Sequence, residues 1–208
     1  MPPTLIAVAV GVLIGVALLG AAVDRRSLAI VALAAALADL DGLLSLSIRG
    51  STNAVLHTAF IPASAAAFVY YDTTHRETSW LRTHYGWYGI RVAWVAIAAY
   101  AVAGIGLDLF HTESVALFYP LSDRYYAIVG KFVFSTQEGI VQTYIESGDG
   151  WLEVASPGTT ATHHVDSWLS PGDGERRLRL LESGWQAIIL VTAIAAVPAR
   201  RLAARGER

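Results

Sequence analysis

The sequence predicts an all-α polytopic membrane protein of about five transmembrane helices, with a small β-rich extramembrane segment between the fourth and fifth. Three observations predict this. Of the 208 residues, 54% are hydrophobic and 15% charged, against roughly 25% charged in an ordinary soluble domain. The apolar residues gather into long runs instead of spreading evenly. The one sizeable polar stretch, 122–183, falls between the last two runs. The expected organisation is a helical membrane domain over 1–121, an extracytoplasmic β-rich cap over 122–183, and a final helix with a basic tail over 184–208.

The first run, 4–23, is 20 residues without a charge. At about 1.5 Å per residue it crosses a hydrocarbon core of roughly 30 Å. A cleaved signal segment carries its positive charge before the apolar stretch, whereas Arg25 and Arg26 follow this one, so a retained span is expected. The second run, 27–47, is interrupted only by Asp39 and Asp41. The third, 54–71, begins near Asn53 and His57 and contains Pro62. The fourth, 87–107, carries Arg91 near one end and closes at Asp108. The fifth, 184–199, is short for a span and must tilt little. Between the fourth and fifth, the alternating stretches 131–135 and 141–146 read as strands, with turn signals at Gly139 and over 147–150.

Basic residues set the orientation. Arg25, Arg26, Arg76, Arg82 and the tail arginines Arg200, Arg201, Arg205 and Arg208 fall on one side of a five-span chain whose N-terminus is outside and C-terminus cytoplasmic. Arg49, Arg124, Lys131 and the cluster Arg176, Arg177 and Arg179 fall on the other, mostly in the long segment, which weighs less in the rule. A net charge of −2 gives no basic field for nucleic acid, so no such partner is expected. With no cysteine, disulfides, thiolate-bound zinc and thiol catalysis are excluded.

The informative residues are the ionisable ones at membrane depth. A carboxylate at the centre of a spanning helix costs on the order of 2.5–3.5 kcal/mol by insertion scales. Asp39 and Asp41 lie about 18–21 Å along the second span from Ser27, in its outer half. Residues two apart on a regular helix point to nearly opposite sides. If both serve one site, the backbone must unwind near Leu40, which Gly42 permits. Asn53 and His57 are four apart at the start of the third span, and Asp108 and His111 three apart at the end of the fourth. All fall toward the outer side. Asp39, Asp41, His57, Asp108 and His111 are therefore the candidate ligands of a divalent metal ion, zinc or manganese by donor type. A metal-bound water would then serve as a hydrolytic nucleophile, with His57, Asp108 and His111 as the catalytic candidates.

Blander readings stand beside these. The two aspartates can end a shorter second span in hydrated headgroups, and Asp108 and His111 can cap the fourth. A lone His57 is more often a hydrogen-bonded helix-start residue. His163 and His164, followed by Asp166 and Ser167, read as surface or turn histidines, and Glu138 and Glu146 as solvated strand faces. His75 and His84 read as loop residues, and Arg91 as snorkelling to the interface.

Leu37-Ala38-Asp39-Leu40-Asp41, then Arg49-Gly50-Ser51-Thr52 running into Leu56-His57-Thr58, then Leu107-Asp108-Leu109 followed by Ala116-Leu117-Phe118-Tyr119-Pro120-Leu121, resembles the membrane-bound metal-dependent hydrolase family. Its bacterial members are inner-membrane proteins linked to the LexA regulon, and the extended cap looks like the archaeal form. The resemblance runs in order over residues 37–121 and implies that Asp39, Asp41, His57 and Asp108 are metal or catalytic positions. The chain departs from the family pattern at Gly104, four before Asp108, and at Ile48 or Asn53, where the family has histidines; the first span carries none. The leading expectation is a membrane-embedded, metal-dependent hydrolase of an ester or phosphoester, with membrane lipid as neighbour and as candidate substrate. The alternatives are a non-enzymatic ion- or solute-binding, transporter-like protein and an interaction scaffold with a degenerate site.

Overall fold

The structure is a computed structural model that describes residues 3–47, 51–111, 114–128, 130–137, 139–144, 156–163, 165 and 179–206. Helix α1 (Thr4–Leu18) ends where Gly20 adopts φ 60. Helix α2 (Arg25–Leu37) starts at a capping box, in which Asp24 accepts from the Ser27 amide at 2.7 Å and the Ser27 hydroxyl accepts from the Asp24 amide at 2.9 Å. That amide holds the Asp24 carboxyl below its ordinary range. The rod continues through a 3-10 turn, Ala38–Leu40, into α3 (Asp41–Leu44). Helix α4 (Phe60–Thr74) pairs with α5 (Trp80–Ala99). A π-helical stretch, Tyr100–Gly106, then leads into the single turn α6 (Leu107–Leu109). Helix α7 (Gly184–Gly206), with Pro198 inside it, packs on α1.

Three helical rods are long and apolar enough to cross a membrane: Arg25–Leu44, Trp80–Leu109 and Gly184–Ala203. The five spans expected from the sequence are not all of that length. Helices α1 and α4 have 15 residues each, a rise of about 22 Å. The third apolar run falls short because residues 51–59 fold as buried turns, so its helix begins at Phe60 and not near Ala54. Within α5 the backbone breaks at Gly86 (φ 63, ψ −156). Only glycine takes that conformation without strain, and the break sets the first aromatic turn apart from the rod starting at Trp87.

Small residues make the helix contacts, as close packing within a bilayer favours. One buried cluster joins Leu28, Val31 and Ala35 of α2 to Val92, Val95 and Ala99 of α5 and to Ala103 beyond it. Arg91 does more than snorkel: its Nε donates to the Leu18 carbonyl at 2.8 Å, satisfying the C-terminal end of α1.

Asp72, the first residue past the third apolar run, fixes the α4–α5 turn. Its buried carboxylate accepts from the Ser79 hydroxyl (2.7 Å), the Trp80 and Leu81 amides (2.9 and 3.0 Å) and Arg76 (3.0 Å). Burial alone would raise its pKa, but these donors outweigh it and bring the group down from 3.8 to about 2. A carboxyl lowered on folding stabilises the fold above its unfolded pKa and loses that effect as pH falls. The loss is therefore expected between about pH 4 and pH 2. Asp72→Asn should lower the melting temperature at neutral pH by several degrees and flatten the acid-side decline over that window, measured by thermal unfolding in detergent.

Of the β-rich cap, the described residues contain one antiparallel hairpin, β1 (Gly130–Ser135) with β2 (Gly139–Tyr144), paired from Gly130↔Tyr144 to Ser135↔Gly139. Gly139 opens β2 instead of lying in the turn. Isolated bridges join Val115 to Tyr126 and Arg124 to Thr159. A wider β-rich segment is not supported. Arg49, Glu138, Glu146, His164, Asp166, Ser167, Arg176, Arg177 and Arg208 lie outside the described residues.

Candidate metal centre

Two carboxylates reach one place because the second rod changes pitch at them. The rod does not unwind at Leu40; it tightens to a 3-10 turn with helical dihedrals throughout. Two positions about 160° apart on an α-helix come to about 120° apart at three residues per turn. Asp39 and Asp41 thus approach His57 from the same rod.

His57 arrives on the buried turns 51–58, which are held by long-range hydrogen bonds. Asn53 takes a positive φ of 55, a conformation asparagine tolerates better than most residues. Its amide nitrogen donates to the Ser114 carbonyl at 3.1 Å, and its own carbonyl accepts from the Ala116 amide at 2.9 Å. The Tyr125 hydroxyl donates to the Thr52 carbonyl at 2.7 Å, and the Tyr100 hydroxyl donates to the Leu56 carbonyl. Thr58 and the Ala59 amide both donate to the Leu117 carbonyl. Burial and then the charge of Asp41 push the Tyr125 phenol up.

Asp108 comes from α6, carried there by the π-helical stretch; such segments cluster at functional sites. Gly104 lies in that stretch. A Cβ on it would stand 3.1 Å from the Ala35 carbonyl oxygen and 3.2 Å from Ala38 Cβ. The place where the family pattern has histidine is here taken by close packing of two helices.

The imidazole of His57, fully buried, lies between the acids. Its Nδ1 is 2.7 Å from Asp41 Oδ2; its Nε2 is 3.1 Å from Asp108 Oδ2 and 3.8 Å from Asp39 Oδ1. Asp39, His57 and Asp108 each offer one ligand atom, all within 4.8 Å of one another, and the group is able to hold a metal ion. The 3.1 and 3.8 Å separations bracket the edge of about 3.3 Å that a tetrahedron with 2.0–2.1 Å bonds requires. Asp41 is placed differently from the sequence expectation. It meets the other ring nitrogen, the position of a carboxylate that orients a metal-binding histidine. His111 is also outside the group of three; its amide donates to the Asp108 carbonyl at 3.1 Å.

Further carboxylate oxygens at this place fit a bound cation. Asp39 Oδ2, Asp41 Oδ1 and Asp108 Oδ1 are buried without a hydrogen bond, and each such group costs on the order of 1–3 kcal/mol or more if nothing compensates it. Three buried carboxyl groups around one imidazole are stable together when protons are shared among them or a cation is held between them.

His163 closes the turn that starts at Thr159, as a turn histidine, and is half-buried there. Its Nε2 is 3.4 Å from Ser114 Oγ and its ring meets Tyr125 edge-on. His84 lies in α5, not in a loop, and its Nδ1 donates to the Trp80 carbonyl at 2.9 Å, while His75 stacks on Tyr71. Sequence reasoning missed Tyr100, Tyr125, Ser51 and Thr52. Ser51-Thr52-Asn53 inside the His57 motif was the available signal; the two tyrosines carry none. No family model matches this chain, and no curated protein or solved structure matches it either.

Proposed function

We propose that this chain is a membrane-embedded, metal-dependent hydrolase of an ester or phosphoester carried by a lipid, and a relative of the membrane-bound metal-dependent hydrolases. The observation that carries the reading is the convergence of Asp39, His57 Nε2 and Asp108 from three separate stretches, with the outer oxygens of the acids unpartnered. Asp39, His57 and Asp108 would hold the ion, and one imidazole with two carboxylates suits zinc or manganese. When bound, such an ion supplies Lewis acidity and a water of lowered pKa. Asp41 accepts from His57 Nδ1–H and so aims Nε2 at the centre. The second oxygen of Asp39 or Asp108 is the proton acceptor.

A crevice of about 170 Å3 supports a lipid substrate. It is lined by apolar surface from α2, α4 and α5, including Leu37, Ile61 and Pro62, with Tyr100 at the start of the π-helical stretch. Along the chain, Leu37 is two residues before Asp39, Ile61 four after His57 and Tyr100 eight before Asp108. In this reading α1 and α4 also lie in the bilayer, giving five spans. Arg25, Arg26, Arg76 and Arg82 are cytoplasmic and the metal centre is near the outer face.

The close packing at Gly104, where the family that the sequence resembles has histidine, favours a second reading: an ion-binding membrane protein without hydrolytic activity. Incubation of the purified chain with phospholipid in mixed micelles separates the two. Release of fatty acid or phosphate that requires added zinc or manganese is the expected result. Metal binding with no product under any of these conditions selects the second reading.

A further inference from the structure

We infer that Ser51, Thr52 and Asn53 form a second polar wall of this centre, in which the two hydroxyls receive the non-bridging oxygens of a phosphoryl group; the inference rests on the metal-dependent reading above. Among the described residues, seven buried side-chain nitrogen or oxygen atoms have no partner. Three are the carboxylate oxygens of Asp39, Asp41 and Asp108. Three more are Ser51 Oγ, Thr52 Oγ1 and Asn53 Oδ1, on the turns that carry His57. Ser51, Thr52 and Asn53 are 2%, 1% and 0% exposed, so bulk water does not serve them. Buried orphans are rare, and six of these seven belong to the three acids that surround His57 and to the turns that carry it.

The local architecture explains why these atoms are left over. The backbone is held by Tyr125, Tyr100 and the Ala116 amide, and the Asn53 amide nitrogen by the Ser114 carbonyl. None of that restraint uses the two hydroxyls. Hydroxyl donors and carboxylate acceptors would satisfy each other if they touched, and here they do not. What fits between them carries acceptor oxygens toward Ser51 and Thr52 and is linked to the acids through a cation. A phosphoryl group offers two non-bridging oxygens for two hydroxyls, whereas a carboxylic ester offers one carbonyl oxygen. Asn53 Oδ1, an acceptor, faces the alcohol side or a water. Without the cation the three acids repel the anion, so binding depends on metal.

The test uses the full chain in detergent, loaded with manganese, and reads the 31P line broadening of inorganic phosphate and of a short-chain phosphatidic acid, with acetate as competitor. Saturable, manganese-dependent broadening that acetate does not displace is expected. Ser51→Ala/Thr52→Val should weaken phosphate binding about tenfold or more, the scale of hydrogen bonds to a charged group, with manganese affinity unchanged. Ser51→Thr/Thr52→Ser, which keeps both hydroxyls, should restore it. Without phosphate, the melting temperature of the first variant should equal or exceed that of the wild type, because the lost hydroxyls had no protein partner. Tighter binding of phosphatidic acid than of phosphate assigns the group to a lipid headgroup; equal binding assigns it to free phosphate. A hydroxyl-free variant that binds phosphate normally, or that melts earlier, overturns the inference, as does manganese binding without any phosphate effect. A wild-type chain that binds no manganese overturns the metal-dependent reading itself.

Discussion

His57→Ala is expected to abolish metal retention and to lower the melting temperature on the order of 10 °C. The imidazole lies within 4 Å of all three acids: Asp41 through Nδ1, Asp108 and Asp39 through Nε2. Removing one partner of a buried, hydrogen-bonded charge cluster costs about 3–5 kcal/mol, because the remaining charges stay buried. At about 2–4 °C per kcal/mol for a chain of this size, the shift follows. His57→Asn separates the two losses. It keeps a polar group of similar reach, so it should recover part of the stability while still failing to hold the ion. A His57→Ala chain that retains metal would show that the ion, if any, sits elsewhere.

Asp41→Asn is expected to weaken metal affinity by about 10–100-fold, the usual effect of removing a carboxylate that orients a metal-bound histidine. The substitution preserves volume and a hydrogen-bonding oxygen next to Nδ1 but removes the charge. Asp41 is fully buried, and its 2.7 Å contact with Nδ1 fixes which ring nitrogen faces Asp39 and Asp108. A manganese titration of the purified variant reads the effect. Affinity equal to wild type would deny Asp41 any orienting role. A loss as complete as that of Asp39→Ala would make it a ligand.

Much of this centre was legible in the sequence, for a definite reason. Carboxylates in an apolar run are costly enough in lipid that Asp39, Asp41 and Asp108 stand out against their surroundings. His57 stood out less, and its role rested on depth. What the spacing could not supply was the division of labour. Asp41 and Asp39 are equivalent as letters, and only the pitch change at Ala38–Leu40 assigns them to different ring nitrogens. Helix ends were misplaced for a related reason. Residues 54–59 look like the start of a span, yet 51–59 fold as turns because Tyr100, Tyr125 and Ala116, far away in sequence, take their backbone carbonyls. The π-helical stretch has no local signature and was invisible. The hairpin followed from alternation, with Gly139, read as its turn, opening the second strand instead.

Metal analysis of the wild-type chain beside Asp39→Ala/Asp108→Ala, both purified in detergent and dialysed against zinc or manganese, bears on the whole account. Close to one ion per wild-type chain and essentially none in the variant is the predicted result. A wild-type chain that holds no ion, or a variant that holds as much, contradicts it.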